Sequence, residues 1–336
     1  MSPNETESKS TASESELKVI GYDDKDPLGP SFSVTSSMGN ILKISDTFAE
    51  MFPLWAGRIL ITADNEKWAL TAGQVAAGFA TSVIMSPAEA GLEALVPASQ
   101  TPDNRVGALM QIYNRNRFEL KGQMILRIGQ CIMTCPTVSA FDAAPNAKRR
   151  MKVGRSLRYF GDSFEKKRII GNRKVWKIPV MEGEFIVEDS FGAVEAVAGG
   201  NFLILAKDKA SGLLASEKAV EAIRNRASEV IMPFPGGICR SGSKAGSLKY
   251  KLKASTNHPF CPQLKRIVPD SQLPENVNCV YEIVINGLSV DAVKKAMGEG
   301  LKAAASVQGV VRITAGNYGG KLGPYKAFLK EVLELR

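Results

Sequence analysis

The chain has 336 residues, 44% of them hydrophobic and 23% charged, which is typical of a globular protein of about two domains. Its net charge of +9 favours anionic partners, which include nucleic acid, anionic membranes and acidic small molecules. A single histidine, His258, excludes a multi-histidine zinc site. The five cysteines form no CxxC pair, which is typical of reduced cytosolic thiols rather than of disulfides or a metal site.

The N-terminal segment, residues 1–43, is rich in Ser, Glu, Asp, Thr and Gly, and this composition predicts a disordered tail. No apolar targeting segment is visible at the start of the chain. The uncharged stretch 68–88 contains many polar residues, so a buried helix followed by a strand explains it better than a membrane span. The sequence therefore predicts a cytoplasmic protein that does not bind membranes.

The predicted elements start with a helix through Phe48, Met51 and Phe52, capped by Ser45, Asp46 or Thr47. Hydrophobic periodicity and turn residues then predict two series of elements. The first series is a strand at 58–62, a helix at 66–77, strands at 82–85 and 106–113, a helix at 118–129 and a strand at 131–134. The second is a strand at 202–205, a helix at 211–225, strands at 230–232 and 279–286, a helix at 289–306 and a strand at 310–314.

Each series follows the split βαβ pattern, which predicts an α+β protein made of two duplicated ferredoxin-like lobes. The N-terminal lobe is expected at 44–147 and the C-terminal lobe at 197–336. Residues 148–196 form a basic insertion with a hairpin around Gly183.

Three glycine-rich turns follow predicted strands, at 198–202, 233–237 and 315–323. The last resembles a P-loop, but Ala315 stands where the first glycine should be and Leu322 replaces the required Ser or Thr. No GxGxxG follows a strand either. The turns therefore give no support to nucleotide binding, although they can bring the backbone close to a flat ligand.

Glu282 is the most informative acidic residue, because it interrupts the apolar run VYEIVIN at 280–286. If its carboxyl is buried, its pKa rises and it can donate a proton near neutral pH. The alternative is a charge on an edge strand that prevents aggregation. Glu188 and Asp189 form a second acidic candidate, and His258 is expected on the surface or at the rim of a ligand site.

Many ordered motifs resemble those of formylmethanofuran–tetrahydromethanopterin formyltransferases and cover nearly all of the chain from residue 44. The longest are TSVIMSPAEAG (81–91), RIGQCIMTCPTVSAFDA (127–143), RKVWKIPVMEGEFIVEDSFG (173–192), CVYEIVINGL (279–288) and AGNYGGKLG (315–323).

The resemblance implies a homotetramer of duplicated ferredoxin-like lobes that moves a formyl group between a furan-based carrier and tetrahydromethanopterin. It implies direct transfer between the two bound carriers, with no metal, no tightly bound cofactor and no covalent enzyme intermediate. The catalytic carboxylate of the family corresponds to Glu282, which would be protonated and would bond the oxygen of the tetrahedral intermediate. Polar groups within the matched motifs are further candidates for substrate binding: Asn201, Ser255, Thr256, Asn257 and Lys321.

The chain departs from the archaeal members in its basic charge and its extra N-terminal residues. Both features suggest a bacterial relative, the transferase subunit of a formyltransferase/hydrolase complex. In that case the formyl group would run from the pterin to the furan carrier, and a partner subunit would hydrolyse the product to formate.

The basic charge is concentrated between residues 148 and 177, a segment that contains twelve lysines and arginines and only two acidic residues. A second basic run lies between 240 and 266. Because the furan carriers of the resembled family bear glutamate-rich tails, we expect Arg149, Arg150, Lys166 and Lys167 to bind the tail. Two alternatives remain open: a non-catalytic subunit of a C1 enzyme complex, and an RNA-binding ferredoxin-like protein, although no RNP-like motif is present.

Overall fold

A computed structural model describes residues 17–335. These residues form eighteen strands and six α-helices. The strands are β1 (Leu17–Asp23), β2 (Ser31–Ser36), β3 (Ile41–Ser45), β4 (Phe48–Thr62), β5 (Glu89–Val96), β6 (Gly107–Asn114), β7 (Ser139–Asp142), β8 (Arg149–Met151), β9 (Lys166–Ile170), β10 (Arg173–Val180), β11 (Gly183–Glu188), β12 (Phe191–Ala206), β13 (Val230–Ile231), β14 (Ser243–Ala245), β15 (Ala254–Thr256), β16 (Cys279–Gly287), β17 (Val310–Thr314) and β18 (Tyr325–Phe328). The helices are α1 (Glu66–Ala77), α2 (Arg117–Arg127), α3 (Val153–Leu157), α4 (Lys209–Arg226), α5 (Val290–Ala305) and α6 (Leu329–Val332).

Two halves of the chain repeat one arrangement. In the N-terminal half, β4, α1, β5, β6, α2 and β7 follow in sequence, and the strands lie in the order β7-β4-β6-β5, all antiparallel. In the C-terminal half, β12, α4, β13, β16, α5 and β17 lie in the equivalent order β17-β12-β16-β13. The protein is therefore α+β, with strand and helix alternating in the same way twice.

The four long helices begin where the sequence supplies an N-cap. The side chains of Asn65, Asn116, Asp208 and Ser289 each accept a hydrogen bond from a backbone N–H of the first helical turn. Such a bond satisfies a donor that the helix itself leaves without a partner. The predicted starts of these helices accordingly fall within two residues of the observed ones.

One continuous sheet of sixteen strands joins the halves, because β4 and β12 pair with each other through their N-terminal parts. The helices of each half cover one side of its strands and enclose a separate apolar core. On the helix-free side of the C-terminal strands, Leu203 and Leu205 pack against Leu273 and Val277 from the long segment before β16. The C-terminal sheet is thus covered on both sides, by helices on one and by an irregular segment on the other.

The prediction of a disordered tail is wrong from Leu17 onwards, and residues 1–16 lie outside the described residues. β1, β2 and β3 form an antiparallel series that joins the sheet through parallel pairing of β3 with β17. Asp26, in the turn between β1 and β2, forms a buried ion pair with Arg312 at 3.0 Å. The average polarity of the segment concealed these short alternating strands.

Three other predicted elements also differ from the structure. Residues from Phe48 form the strand β4 instead of a helix, since β6, β7, β12 and β18 all pair with it and pairing overrides local propensity. Residues 82–85 form a turn held by Ser86, and the strand is β5. Residues 131–134 continue the end of α2 as a π-helical turn, and the strand is β7.

The basic insertion contains β8, the short α3 and the hairpin β9-β10-β11. Val180 pairs with Gly183 across the tight turn between β10 and β11, as the predicted hairpin around Gly183 requires. No helix within residues 17–335 is both long and apolar enough to cross a membrane.

Candidate active site

Glu282 lies in the middle of the C-terminal sheet, on the side without helices. It is directly opposite Leu203 of β12, and Leu203 is opposite Thr314 of β17, so all three side chains share one face. On the other side of β16, the backbone of Glu282 exchanges two hydrogen bonds with Cys239, at 2.8 and 2.9 Å. Glu282 is therefore not on an edge strand, and the aggregation-preventing alternative is wrong.

The carboxyl group of Glu282 is held in a poorly solvated position. Although the residue is only half-buried, desolvation raises the pKa of Glu282 to about 7. No hydrogen bond joins this carboxyl to another side chain or amide among residues 17–335. With such a pKa, about half of the molecules carry a protonated Glu282 at neutral pH. The group can then act as a hydrogen-bond or proton donor.

Asn201 lies next to Glu282 on the same face, because it is directly opposite Val284. Its Oδ1 accepts a hydrogen bond from the Gly316 N–H at 2.6 Å, and its Nδ2 donates to the Gly316 carbonyl at 3.1 Å. Asn201 thereby fixes the start of the glycine-rich segment 315–323, which we call the 315–323 loop. The loop consequently leaves β17 close to Glu282.

Glu50, from β4 of the N-terminal half, holds the rest of this loop. Its two carboxylate oxygens accept hydrogen bonds from the backbone N–H groups of Tyr318 (2.7 Å), Gly320 (3.2 Å), Leu322 and Gly323 (2.6 Å). Glu50 is 1% exposed. Desolvation alone would raise its pKa, but the four N–H donors outweigh that effect and lower the pKa of Glu50 below its ordinary value.

The 315–323 loop is thus a ring of backbone N–H groups around an anion, as in a P-loop, but the anion is the protein's own carboxylate. Gly323 is required for this approach, because a Cβ at that position would lie 2.2 Å from the Met51 carbonyl oxygen. The structure explains why the loop resembles a phosphate-binding motif while its amides are already occupied.

Tyr318, on the 315–323 loop, lies close enough to Glu282 for the charge of Glu282 to act on its phenol. Its phenol has a raised pKa, first because of desolvation, with additional contributions from the negative charges of Glu282 and Glu50. The backbone of Ala245 in β14 also hydrogen-bonds the phenol. Tyr318 therefore connects three parts of the chain: the 315–323 loop, the β14–β15 hairpin and the surroundings of Glu282.

Ser255 and Thr256 lie in β15, and Asn257 follows it, so these three predicted residues adjoin the hairpin that Tyr318 reaches. The Thr256 hydroxyl donates to the Ser241 carbonyl at 3.2 Å. Lys321 is exposed on the 315–323 loop. The structure thus groups these residues and Asn201 around the loop and hairpin beside Glu282.

His258 is not on the surface, which was one of the two positions expected for it; the other, the rim of a ligand site, stays a prediction. It is 6% exposed, and its Nε2 lies 3.0 Å from the Asp270 carboxylate. The segment between β15 and β16 folds back over the sheet, and this pairing helps hold it there. All five cysteine thiols are free.

The predicted basic residues lie elsewhere, and they differ from one another. Arg150 is fully engaged: its guanidinium binds the buried Asp142 carboxylate at 2.6 Å and the Ser190 carbonyl at 2.6 Å. Arg149, Lys166 and Lys167 are exposed. Lys166 and Lys167 are on β9, which ends the sheet five strands away from β12. Arg150 is also exposed, but unlike the other three residues it is paired with a buried carboxylate.

The second acidic candidate is also structural. Glu188 accepts hydrogen bonds from Arg173 at 2.6 Å and from the Asp142 N–H at 2.9 Å. The Asp189 carboxylate accepts a bond from the Trp176 indole N–H at 2.7 Å. Within residues 17–335, no three His, Cys, Asp or Glu side chains are close enough to hold a metal ion.

Sequence reasoning did not identify Glu50 or Tyr318. Tyr318 lies in the AGNYGGKLG motif, and Glu50 lies about 270 positions earlier in the chain. The available signal was the excess of backbone N–H groups in a glycine-rich loop that lacks a ligand-binding fingerprint, because such groups need an acceptor.

Two family models together match nearly all of the described chain. The model for formylmethanofuran-tetrahydromethanopterin formyltransferase matches residues 38–180, and the model for the proximal lobe of the same enzyme matches residues 183–332. These matches make the protein a transferase.

Individual relatives agree with this assignment. The chain is 54% identical over 299 residues to the formylmethanofuran–tetrahydromethanopterin formyltransferase of Methanocaldococcus jannaschii, covering 88% of this chain and 99% of the relative. The crystal structure of the Methanosarcina barkeri enzyme matches with a TM-score of 0.85 and 47% identity over 89% of this chain and all of that one. A structure of the formyltransferase/hydrolase complex from Methylorubrum extorquens with methylofuran matches with a TM-score of 0.83 and 44% identity, covering 87% of this chain and 97% of that one. The chain belongs to the formylmethanofuran–tetrahydromethanopterin formyltransferase family.

Proposed function

We propose that the protein transfers a formyl group between a formylmethanofuran-type carrier and tetrahydromethanopterin. Glu282 carries this proposal: it is a carboxyl with a pKa of about 7 in a chain that belongs to the family over nearly all its described length. The two carriers are substrates, and no tightly bound cofactor is part of the proposal. Family membership favours an enzyme over the RNA-binding alternative.

Each half of the chain is, in this proposal, a ferredoxin-like lobe, and the two arose by duplication. The equivalent strand orders β7-β4-β6-β5 and β17-β12-β16-β13 support it, because a split βαβ unit has its first and third strands in the centre. The predicted lobe limits of 44–147 and 197–336 stay predictions.

The proposed reaction is a direct transfer. The nitrogen of the accepting carrier attacks the formyl carbon, a C–N bond forms, and the carbonyl oxygen becomes negatively charged. Protonated Glu282 donates a hydrogen bond to that oxygen and so stabilises the tetrahedral intermediate. The C–N bond to the first carrier then breaks, and the proton that the attacking nitrogen loses goes to the departing nitrogen. Because the accepting nitrogen is itself the nucleophile, the protein mainly orients two carriers.

The residues around Glu282 are the proposed substrate contacts: Asn201, Ser255, Thr256, Asn257 and Lys321. Their positions on the 315–323 loop, the β14–β15 hairpin and the adjoining strand support this role, since a carrier above Glu282 has to pass these segments. Asn201 already binds Gly316, so we assign it to shaping the site rather than to a direct contact.

The glutamate-rich tail of the carrier is proposed to bind at Arg149, Lys166 and Lys167, without Arg150. Arg149 on β8 and the two lysines on the terminal strand β9 are exposed cations that attract a polyanion. Among the described residues, they make no ion pair of the kind that Arg150 makes. A homotetrameric state, a cytoplasmic location and assembly with a formyl-carrier hydrolase stay predictions. The complex from Methylorubrum extorquens is the observation that supports the last of these.

An ultraviolet assay of formyl-tetrahydromethanopterin, with purified protein and both carriers, tests the function. We expect the pterin spectrum to change only when both carriers are present, in the direction set by which one carries the formyl group. Absence of turnover in both directions would favour the non-catalytic subunit. Turnover with one carrier alone would contradict direct transfer.

A further inference from the structure

The 315–323 loop links two carboxyl groups, Glu50 of the N-terminal half and Glu282 of the C-terminal half. Glu50 binds four amides of the 315–323 loop, and Tyr318 on that loop interacts with the charge of Glu282. Nothing in the proposed function assigns a task to Glu50 or Tyr318.

We propose that Glu50 is a positioning residue for formyl transfer: it fixes the 315–323 loop so that the Tyr318 side chain walls the Glu282 carboxyl. This inference rests on the proposed catalytic role of Glu282.

The first support is the completeness of the Glu50 contacts. Both oxygens of this buried carboxylate are occupied, each by two amides, and all four donors come from one loop. No salt bridge to Glu50 is present in the part of the chain that the structure describes, although Lys326 lies opposite it on β18. The direct contacts of the carboxylate are backbone amides, each of which needs an acceptor, and its four lone-pair sites supply one to each.

The second support is where the bound amides lie. The N–H of Tyr318 itself donates to Glu50 at 2.7 Å, so the carboxylate controls the backbone of the residue whose side chain faces Glu282. Asn201 holds Gly316, two residues earlier, from the C-terminal half. The position of Tyr318 therefore depends on both halves of the protein.

The third support is the electrostatic contrast between the two acids. Glu50 is surrounded by donors, whereas Glu282 has none among the described residues. A neutral Glu282 is favoured by poorly solvated surroundings, and the partly exposed Tyr318 side chain is close enough for the Glu282 charge to act on its phenol. Loosening the loop would admit water and misplace the wall, although Glu282 itself would be unchanged.

The test uses the full-length protein and the variants Glu50→Gln, Glu50→Asp and Tyr318→Ala. Glutamine replaces one acceptor oxygen with an NH₂ group that faces N–H donors. We expect Glu50→Gln to lower kcat by about 10- to 100-fold, as small misplacements near a reacting centre do, with a smaller change in KM. Glu50→Asp keeps both oxygens and should recover part of kcat.

Two measurements separate positioning from simple destabilisation. Hydrogen exchange should show that the amides of Tyr318, Gly320, Leu322 and Gly323 lose protection in Glu50→Gln while β17 keeps its own. The double variant Glu50→Gln/Tyr318→Ala should be no slower than Tyr318→Ala alone, because both changes remove the same wall. Asp26→Asn, which weakens a different buried ion pair, serves as the control and should lower Tm without lowering kcat.

Additive losses in the double variant, or unchanged exchange at the four amides, would overturn the inference. If Glu50→Gln does not fold, Glu50→Asp combined with Tyr318→Ala decides the same question through the same cycle. This outcome is distinct from a failure of the proposed function. Wild-type turnover in Glu282→Gln would remove the catalytic role of Glu282. Slow turnover in Glu282→Gln together with wild-type turnover in Glu50→Gln would remove only the role of Glu50.

Discussion

The side chain of Asn286 in the C-terminal half binds Glu89 in the N-terminal half: its Nδ2 donates to the Glu89 carboxylate at 2.6 Å. Asn286 is fully buried, and its Oδ1 accepts the Gly199 N–H at 3.1 Å. Glu89 also accepts the Val83 N–H at 3.0 Å. One side chain therefore joins two halves whose strands β4 and β12 already form one sheet.

Asn286→Ala should destabilise the protein strongly. It removes a buried donor and acceptor and leaves the Glu89 carboxylate and the Gly199 N–H short of partners, which costs about 2–4 kcal/mol. Urea unfolding of the variant beside wild type measures the loss. Asn225→Ala, at a residue exposed near the end of α4, is a matched control that should change stability by less than about 0.5 kcal/mol. An equal effect of both substitutions would contradict the assigned link between the halves.

Glu282→Gln tests the catalytic acid directly. The amide keeps the shape of the side chain but cannot supply the titrating proton, so kcat should fall by about 10²–10³ with little change in Tm. Steady-state kinetics and a thermal melt on the same sample provide both numbers. Glu221→Gln, at an exposed residue of α4, is the control for removal of one carboxylate. Turnover near that of wild type in Glu282→Gln would leave Glu282 without a catalytic task.

The pH dependence of turnover should follow the protonation of Glu282. Because its pKa is raised to about 7 and the protonated form is the active one, kcat should be constant well below pH 7 and fall about tenfold per pH unit well above it. Tyr318 is the titratable side chain that faces Glu282 from the 315–323 loop, and its raised pKa keeps it neutral in this range. The profile is measured from about pH 5.5 to about pH 9 under saturating carriers, on both sides of the Glu282 pKa. Glu282→Gln should flatten it, and an unchanged alkaline limb in that variant would assign the titration to another group.

Charge reversal on β9 tests the tail site. Lys166→Glu/Lys167→Glu should raise KM for the tailed carrier by about tenfold at low salt, since each reversal replaces attraction by repulsion. A tail-less analogue should be unaffected, and added salt should reduce the difference between the two proteins. Lys209→Glu/Lys218→Glu on α4 carries the same charge change and should leave KM unaltered. A similar rise in KM for the tailed carrier and for the tail-less analogue would indicate that Lys166 and Lys167 lie in a subunit contact instead.

The sequence alone predicted the repeated alternation of strands and helices, because the four long helices have explicit caps and the core strands are strongly apolar. Two errors share one cause: the first part of β4, from Phe48, and Ser139–Asp142 become strands through partners far away in the chain, and local patterns do not contain those partners. Glu89–Val96 pairs with the nearby β6, and the predicted strand was placed about seven residues too early. β1 and β2 were missed because the composition of residues 1–43 was judged as a whole, and the polar residues before β1 concealed these short alternating strands.

The site was predictable only in part, for a related reason. Glu282 stood out because a lone acid in an apolar strand is unusual, and its raised pKa agrees with that inference. The charge count that selected Arg150 could not show that this cation already pairs with a buried carboxylate. The role of Glu50 depends on amides about 270 residues away, and the glycine-rich motif that carries them does not show which acceptor they bind.

The tight turn between β10 and β11 has a consequence for how the molecule can be divided. The two family models end and begin at residues 180 and 183, which are paired with each other in this hairpin. Cutting the gene there would separate β10 from β11 and also β4 from β12, so each fragment would carry unpaired strand edges open to self-association. Neither half is therefore suited to crystallisation or activity measurements when it is expressed alone. A split reporter divided at this turn would reassemble by pairing of strands between the fragments rather than by docking of two folded domains.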